Sequence, residues 1–473
     1  MASPNISFNS IPSSIRKPGK YFEFNNNLAV RTLPSNLQRV LIVGQMLAAG
    51  TAVANTVIQV FDAEVAAGLF GRGSQAHRMV KAAIIASPYL QLFVLPVADN
   101  GAGVAATATI TYTGPASAAG SVYVNIAGVE LVVPVAAADS VTVIAAAVAA
   151  AINAKIDLGV TAAAVVGVVT LTARNKGLVG NNVKLAATAS ATSVTAVATA
   201  FTGGLNDTDI TAALAAAAQG GHEILVVPYQ LQASVLPLRT HLNFVSGPME
   251  QRRAIGVFAL TSTLATATTL APLLNAERMT MACVPGTYTP AEEVAAGYAA
   301  VIAGEEDPAR PLNTLVLTNV APPPVASRLL RTEQESALNN GVTPLQVGPG
   351  EVVQIVRAIT TYILNPGGVN DISWLDLTTI RTMDYVAKAC RERIELRFPR
   401  DKLSARTPPK VRGELLDVLH KLEELEIVEE VEANKDGLIV ERDSQDPNRL
   451  DAKIPVDVVN GLHVFAGRLD LLL

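Results

Sequence analysis

With 473 residues the chain is too long for one hydrophobic core and suggests about two to four domains. The net charge of -5, without a basic block, excludes a nucleic-acid footprint, and the excess of apolar residues is Ala and Val, only 4% of the chain being aromatic. Cys283 and Cys390 lack metal or redox spacing and read as reduced core thiols.

The start of the chain lacks a charged segment followed by an apolar one, as a secretory signal would have. The most apolar window, Val141 to Ala173, is interrupted by Asn153, Lys155, Asp157 and Gly159, so no membrane insertion is expected. The expectation is a soluble protein that stays in the cytoplasm of the cell that makes it.

Residues 1–25 read as an extended arm. Pro4, Pro12 and Pro18 oppose a helix, and Ile6, Phe8, Ile11 and Ile15 are too sparse for a core. Tyr21, Phe22 and Phe24 stand in a strand-like run. An apolar-dotted arm without a local partner often pairs with something else. Arg39 to Gly44 fits a buried strand, Phe61 to Gly68 a short helix, Ser74 to Ala86 a helix capped by Ser74, and Leu90 to Pro96 another strand. This order begins a βαβ arrangement.

From residue 98 to 205 the chain is nearly all Ala, Val, Thr and Gly. Thr107 to Tyr112, Ser121 to Ile126, Glu130 to Val135 and Val168 to Ala173 read as strands. Asp139 to Ala154 reads as a helix capped by Asp139 or Ser140. This is a β-rich inserted domain. The α/β grammar then resumes: helices at Asp207 to Gln219, Leu231 to Val245 and Glu292 to Ala303, and strands at His222 to Pro228, Ala254 to Ala259 and Met279 to Val284. Leu225 to Pro228 echoes Phe93 to Pro96, which places both in one sheet. Residues 26–97 and 206–365 thus make an α/β core domain.

Residues 366–461 read as an α+β domain. Thr378 to Leu396 and Val411 to Leu425 are amphipathic helices. Ile427 to Glu432 and Leu438 to Glu441 flank Asn434 to Gly437 as a hairpin, and Arg449 to Val456 alternates like a strand. Residues 462–473 form an apolar tail, a solubility liability in a monomer that makes sense if a neighbouring copy receives it.

No cofactor, metal or catalytic set is expected. Gly71 to Ala76 opens a helix but follows another helix, and Gly101 to Ala106 runs from strand to strand; both read as turns. No serine sits in a nucleophile elbow. His222 and His420 read as partly exposed structural side chains, and Glu292, Glu293 and the run from Glu305 to Asp307 as helix-start charge and a solvated loop. Lys388, Arg391, Arg393, Arg397, Arg400 and Lys402 form a basic run with two readings: a solvated face with internal salt bridges, or an electrostatic contact to a partner.

An ordered set of segments carries a resemblance. Glu351 to Tyr362 holds Arg-x-Ile-Thr-Thr-Tyr and reads as a strand; Asp371-Ile-Ser-Trp-Leu-Asp376 and Arg397-Phe-Pro-Arg-Asp-Lys-Leu403 follow. Ile6 to Pro12, Asp307 to Leu312 and Asn340 to Pro344 fall in the matching order. Together they resemble the contractile tail sheath subunits of the Mu-like phage branch. The resemblance runs from the first ten residues to the last twenty.

The resemblance implies a structural, non-enzymatic subunit of the virion tail, assembled in the host cytoplasm. Copies form a helical homo-oligomer around a tail tube, with baseplate and tail terminator proteins as further partners, and contraction drives the tube through the host envelope. The family's α/β middle is likened to a subtilisin fold, and the inserted domain is expected on the outer surface. Ile6, Phe8, Ile11, Tyr21, Phe22 and Phe24 at one end, with Leu462, Val464, Phe465, Leu469 and Leu471 at the other, are the expected inter-subunit arms. Ile427, Val428, Val431, Leu438, Val440, Leu450, Ile454 and Val456 are the expected receiving strands. The family's tube-facing helix favours the second reading of the basic run. Rival readings are the sheath of a phage-derived injection particle, an α/β hydrolase and a surface adhesin.

Overall fold

The computed structural model describes residues 14–22 and 33–472. The first unit runs β1 (Arg39–Gln45), β2 (Ile58–Gln59), α1 (Ala63–Phe70), α2 (Gln75–Ala86) and β3 (Gln91–Val97). Asp62 caps α1, its Oδ1 accepting from the Glu64 N–H at 2.6 Å, and the Ser74 hydroxyl caps α2, accepting from the His77 N–H at 3.1 Å. The turn before α2 needs glycine. Gly73 has φ +77°, and a Cβ there would lie 2.6 Å from the Leu158 carbonyl oxygen.

The next segment holds β4 (Thr107–Thr113), β5 (Gly120–Ile126), β6 (Val129–Val135), α3 (Val141–Ala154), β7 (Val160–Val165), β8 (Val168–Ala173), β9 (Leu185–Ala189) and β10 (Thr195–Ala198). Two antiparallel sheets form, in the orders β10-β4-β8-β7 and β6-β5-β9. Alternate residues such as Ile110, Val122, Val124, Val169 and Leu171 turn inward and pack on Ile144, Val148 and Ile152 of α3, giving a core separate from the rest. Ser140, rather than Asp139, caps α3.

The chain then returns through α4 (Thr211–Ala217), β11 (Ile224–Val226), α5 (Gln232–Val245), β12 (Ile255–Leu260), α6 (Leu264–Leu274), β13 (Met279–Cys283), α7 (Ala291–Gly304), α8 (Arg331–Asn339), β14 (Thr343–Gly348) and β15 (Val352–Ile355). The main sheet has eight strands in the order β15-β14-β13-β12-β11-β1-β3-β2. Its six inner strands are parallel, and β2 and β15 pair antiparallel at the edges. β3 and β11 flank β1, so the two echoing segments do share this sheet. One face packs on α1, α2 and α7, the other on α4, α5, α6 and α8. Coverage on both faces explains why β12 and β13 are buried throughout.

The strand expected through Tyr362 ends at Ile355. Hydroxyls clamp the continuation instead. Thr280 Oγ1 lies 2.7 Å from the Ile359 carbonyl, the Ile359 N–H donates to Thr343 Oγ1 at 2.9 Å, and the Thr361 N–H donates to the Met279 carbonyl at 2.8 Å. These bonds pull the stretch out of the ladder and bury it beside the start of β13.

The last segment contains α9 (Leu377–Arg397), α10 (Thr407–Glu424), β16 (Val428–Glu429), α11 (Val431–Asn434), β17 (Ile439–Arg442), β18 (Leu450–Lys453) and β19 (Asp457–Val458). The hairpin expected about Asn434 to Gly437 does not form. Arg412 on α10 donates to the carbonyls of Lys435 at 2.7 Å and Leu438 at 2.8 Å, and Glu423 accepts from the Val431 N–H at 2.9 Å. Those contacts wind residues 431–437 into short helical turns. β16 pairs with β19 instead, and β17 with β18.

Candidate assembly surfaces

Tyr21 and Phe22 are exposed, whereas Ile6, Phe8, Ile11 and Phe24 lie outside the described residues. At the other end Leu462, Val464, Phe465, Leu469 and Leu471 are all exposed, Leu469 fully. His463 is the exception. Its ring is largely buried, with Nδ1 2.9 Å from Asn313 Nδ2 and Nε2 3.6 Å from Asp376 Oδ1. Burial, reinforced by Arg357, pushes its pKa down. The tail therefore starts from a fixed root and then presents apolar side chains to solvent.

Ile427, Val428, Val431 and Leu438 are buried under α10, and Val440, Leu450, Ile454 and Val456 pack around that core. Their strands make two separate two-stranded ribbons, β16-β19 and β17-β18. Among the described residues no third strand pairs with either ribbon. Each ribbon thus presents unpaired backbone groups on its flanks. The tail of the same chain does not fill them.

The basic run divides. Arg393 is buried between α9 and α10, its Nη1 3.1 Å from Glu414 Oε2 and 2.6 Å from Asp417 Oδ2. Arg397 joins the same seam, 3.3 Å from Glu414. Lys388 donates to the Ser35 carbonyl at 2.9 Å, and Arg391 reaches Gln251 at 3.4 Å. Arg400 and Lys402, beyond the helix end, are exposed.

Ion pairs fasten the segments together. Arg278 beside β13 grips Asp384 of α9 at 2.8 and 2.9 Å. Asp157, after α3, accepts from Arg72 at 2.9 Å and Lys81 at 2.7 Å. Glu292 and Glu293, read from sequence as helix-start charge, lie in the first turn of α7 and are held by Arg78 of α2 at 2.8 and 2.6 Å; Glu292 is buried. Burial and the neighbouring Glu292 push the Glu293 pKa up, against the pull of Arg78. His222 is buried rather than partly exposed, its ring edge-on to Phe93 with centroids 5.0 Å apart. Sequence reasoning missed these partners because each pair spans many residues; only Arg357 and Asp376 sat within the quoted motifs as a visible opposite-charge pair. Among the described residues no acid, His or Cys cluster could hold a metal, and no helix is long and apolar enough to cross a membrane.

Comparison with known proteins gives these surfaces a context. A family model described as the phage tail sheath protein central domain matches residues 203–361, and one described as the phage tail sheath C-terminal domain matches residues 369–471. The Mu-like prophage FluMu tail sheath protein of Haemophilus influenzae is 34% identical over 487 aligned positions, covering 99% of this chain and 100% of that relative. The sheath tail protein of Desulfitobacterium hafniense shares the fold with a TM-score of 0.52 at 13% identity, over 94% of this chain and 97% of that one. The corresponding Listeria innocua protein gives 0.51 at 13%, over 91% and 94%. The sheath of an extracellular contractile injection system, PVC, in its contracted state gives 0.51 at 11%, over 97% and 98%. The chain belongs to the phage tail sheath protein family, in its Mu-like branch, and is a structural component of the phage particle rather than an enzyme.

Proposed function

We propose that this subunit polymerises as a helical sheath around a tail tube, within a tail bounded by baseplate and terminator proteins. It contracts to drive the tube through the host envelope. The observation that carries this reading is the pairing of an exposed apolar tail, rooted at His463, with ribbons whose flanks find no partner strand among the described residues. A tail from one copy adding a strand to a ribbon of the next would satisfy both by main-chain hydrogen bonds. A contact repeated head-to-tail without closing generates a helix. The N-terminal arm plays the equivalent part at the other end, and assembly takes place in the host cytoplasm.

Contraction in this scheme draws on the difference in buried interface between two lattices, with the segments moving as bodies fastened by Arg278–Asp384 and Arg78–Glu292. Arg393 and Arg397 serve the helix seam. Lys388, Arg391, Arg400 and Lys402 are left as the candidates for touching the tube or a neighbouring copy, and residues 98–205 lie outward. The solved contractile sheath with this fold supports the scheme. Electron microscopy of the chain expressed alone tests it. Long hollow tubes with a regular helical repeat are expected; uniform small particles that persist across concentrations would refute the strand-exchange scheme.

A further inference from the structure

A cleft of about 360 Å³ opens between α9 and the ends of the sheet strands that face it, Arg39 at the start of β1, Glu223 before β11 and Arg253 before β12 lying on its sheet side. Its charges are unevenly matched. Glu223 is taken by Arg39 at 3.1 Å, Glu250 by Arg252, and Asp384 by Arg278 through the two-pronged contact described above. Glu392 is the remaining carboxylate in the lining.

The cations left over are poorly satisfied. Arg253 reaches only the already engaged Asp384, at 3.5 Å, and among the described residues makes no hydrogen bond. Arg391 has contacts no shorter than 3.4 Å to Gln251 and 3.8 Å to Glu395. Arg381, 5% exposed, sends Nη2 to the Glu305 carbonyl, while its Nε and Nη1 are buried without a hydrogen-bond partner. Buried guanidinium donors left unpaired are costly, and clustered cations raise that cost. Both arginines bear its mark: burial pushes the Arg381 pKa down to about 10, and burial with nearby Arg278 and Arg391 pushes Arg253 down.

We propose that this cleft binds a phosphate-class oxyanion, held by Arg253, Lys388 and Arg391 above the buried guanidinium of Arg381. The spacing of Arg381, Asp384, Lys388 and Arg391 along α9 puts them on one helical stripe facing the sheet. A bound dianion would join that stripe to Arg253 and fasten the C-terminal helix to the sheet. Phosphate fits because its several acceptor oxygens can take donors from more than one guanidinium fork at once. This inference concerns the single chain and does not depend on how copies assemble.

The test is calorimetric titration of the purified full-length protein with inorganic phosphate, against sodium chloride at matched ionic strength. Saturable phosphate binding, absent with chloride, is expected. Arg253→Gln should weaken it about tenfold, the loss of one charge-assisted contact. Arg391→Gln, on the exposed rim, provides a second reading should Arg253→Gln fail to fold. Equal responses to phosphate and chloride, or variants that bind phosphate as well as the parent, would overturn the proposal.

Discussion

Arg357 and Asp376 meet through two parallel hydrogen bonds, Nε to Oδ1 at 2.8 Å and Nη2 to Oδ2 at 2.7 Å. Arg357 follows β15 and Asp376 immediately precedes α9, so the pair bridges the central and C-terminal matched regions. The same Asp376 Oδ1 faces His463 Nε2 at the root of the tail. One carboxylate therefore touches the end of the core, the start of the long helix and the origin of the tail.

Asp376→Asn keeps the shape but removes the charge that the guanidinium fork grips. A loss of about 1–3 kcal/mol is expected, typical of a charged hydrogen bond in a half-buried site. Arg357→Lys should fall between parent and Asp376→Asn, because an ammonium keeps the charge and loses the second prong. Urea unfolding midpoints measure both. Indistinguishable midpoints would mean that solvent already screens the pair.

Arg393 and Arg400 stand close in sequence and should behave oppositely. Arg393→Ala takes the buried guanidinium from Glu414 and Asp417 of α10, which keep Arg397 and Lys421 beside them, and the loss of its charged hydrogen bonds should cost about 1.5–3 kcal/mol. Arg400→Ala, on an exposed turn, should change stability by less than about 0.5 kcal/mol. A thermal-shift comparison separates them. A folded, undiminished Arg393→Ala would show that α10 is held by its apolar stripe alone.

Acid should weaken the fold through His222. Burial, with Arg39 nearby, pushes its pKa down to about 4. The unfolded chain takes this proton near the ordinary value of 6.5, so between those values the unfolded state binds more protons. The His222 contribution is therefore full above 6.5 and is lost as pH falls toward 4, about 2 kcal/mol of it by pH 5. His222→Gln should flatten that part of the pH profile of urea midpoints while adding a constant offset for the lost Phe93 contact. An unchanged slope would assign acid sensitivity to other groups, such as buried His77.

Where local signals agreed with packing, the fold was legible. Ser74 and Ser140 cap the helices they precede, and the alternating pattern of β4 and β6 matches their buried faces. Strands β7, β9 and β10 escaped because runs such as Val-Thr-Ala-Ala-Ala-Val give little contrast between faces. Helix α6 was hidden by its threonines and Pro272, and α8 by its polarity; α6 packs one apolar side on the sheet, while Glu333 accepts the Leu330 N–H at 2.7 Å to start α8. The hairpin expectation failed at Asn434 to Gly437 because Arg412, a distant residue, captures the turn carbonyls. Tertiary hydrogen bonds overrode a sound local signal. The basic run was visible, but which of its members turn inward depends on Glu414 and Asp417 of another helix.

The tail offers the sharpest separation of folding from assembly. Beyond His463 its apolar side chains touch solvent, with Phe465 87% exposed, so removing residues 464–473 takes little from the core. The shortened protein should keep its unfolding midpoint within the ordinary scatter of surface changes, about 0.5 kcal/mol. It should nevertheless fail to form tubes under conditions where the full chain does, since the strand it would lend to a neighbour is gone. His463→Ala is the counterpart: it keeps every apolar residue of the tail but frees its root from Asn313 and Asp376, and should leave tubes that form but disperse more readily on dilution. Sedimentation and electron microscopy of the two variants side by side decide the matter. If the shortened chain still forms regular tubes, the lattice is held by other surfaces and the exposed tail has a different partner.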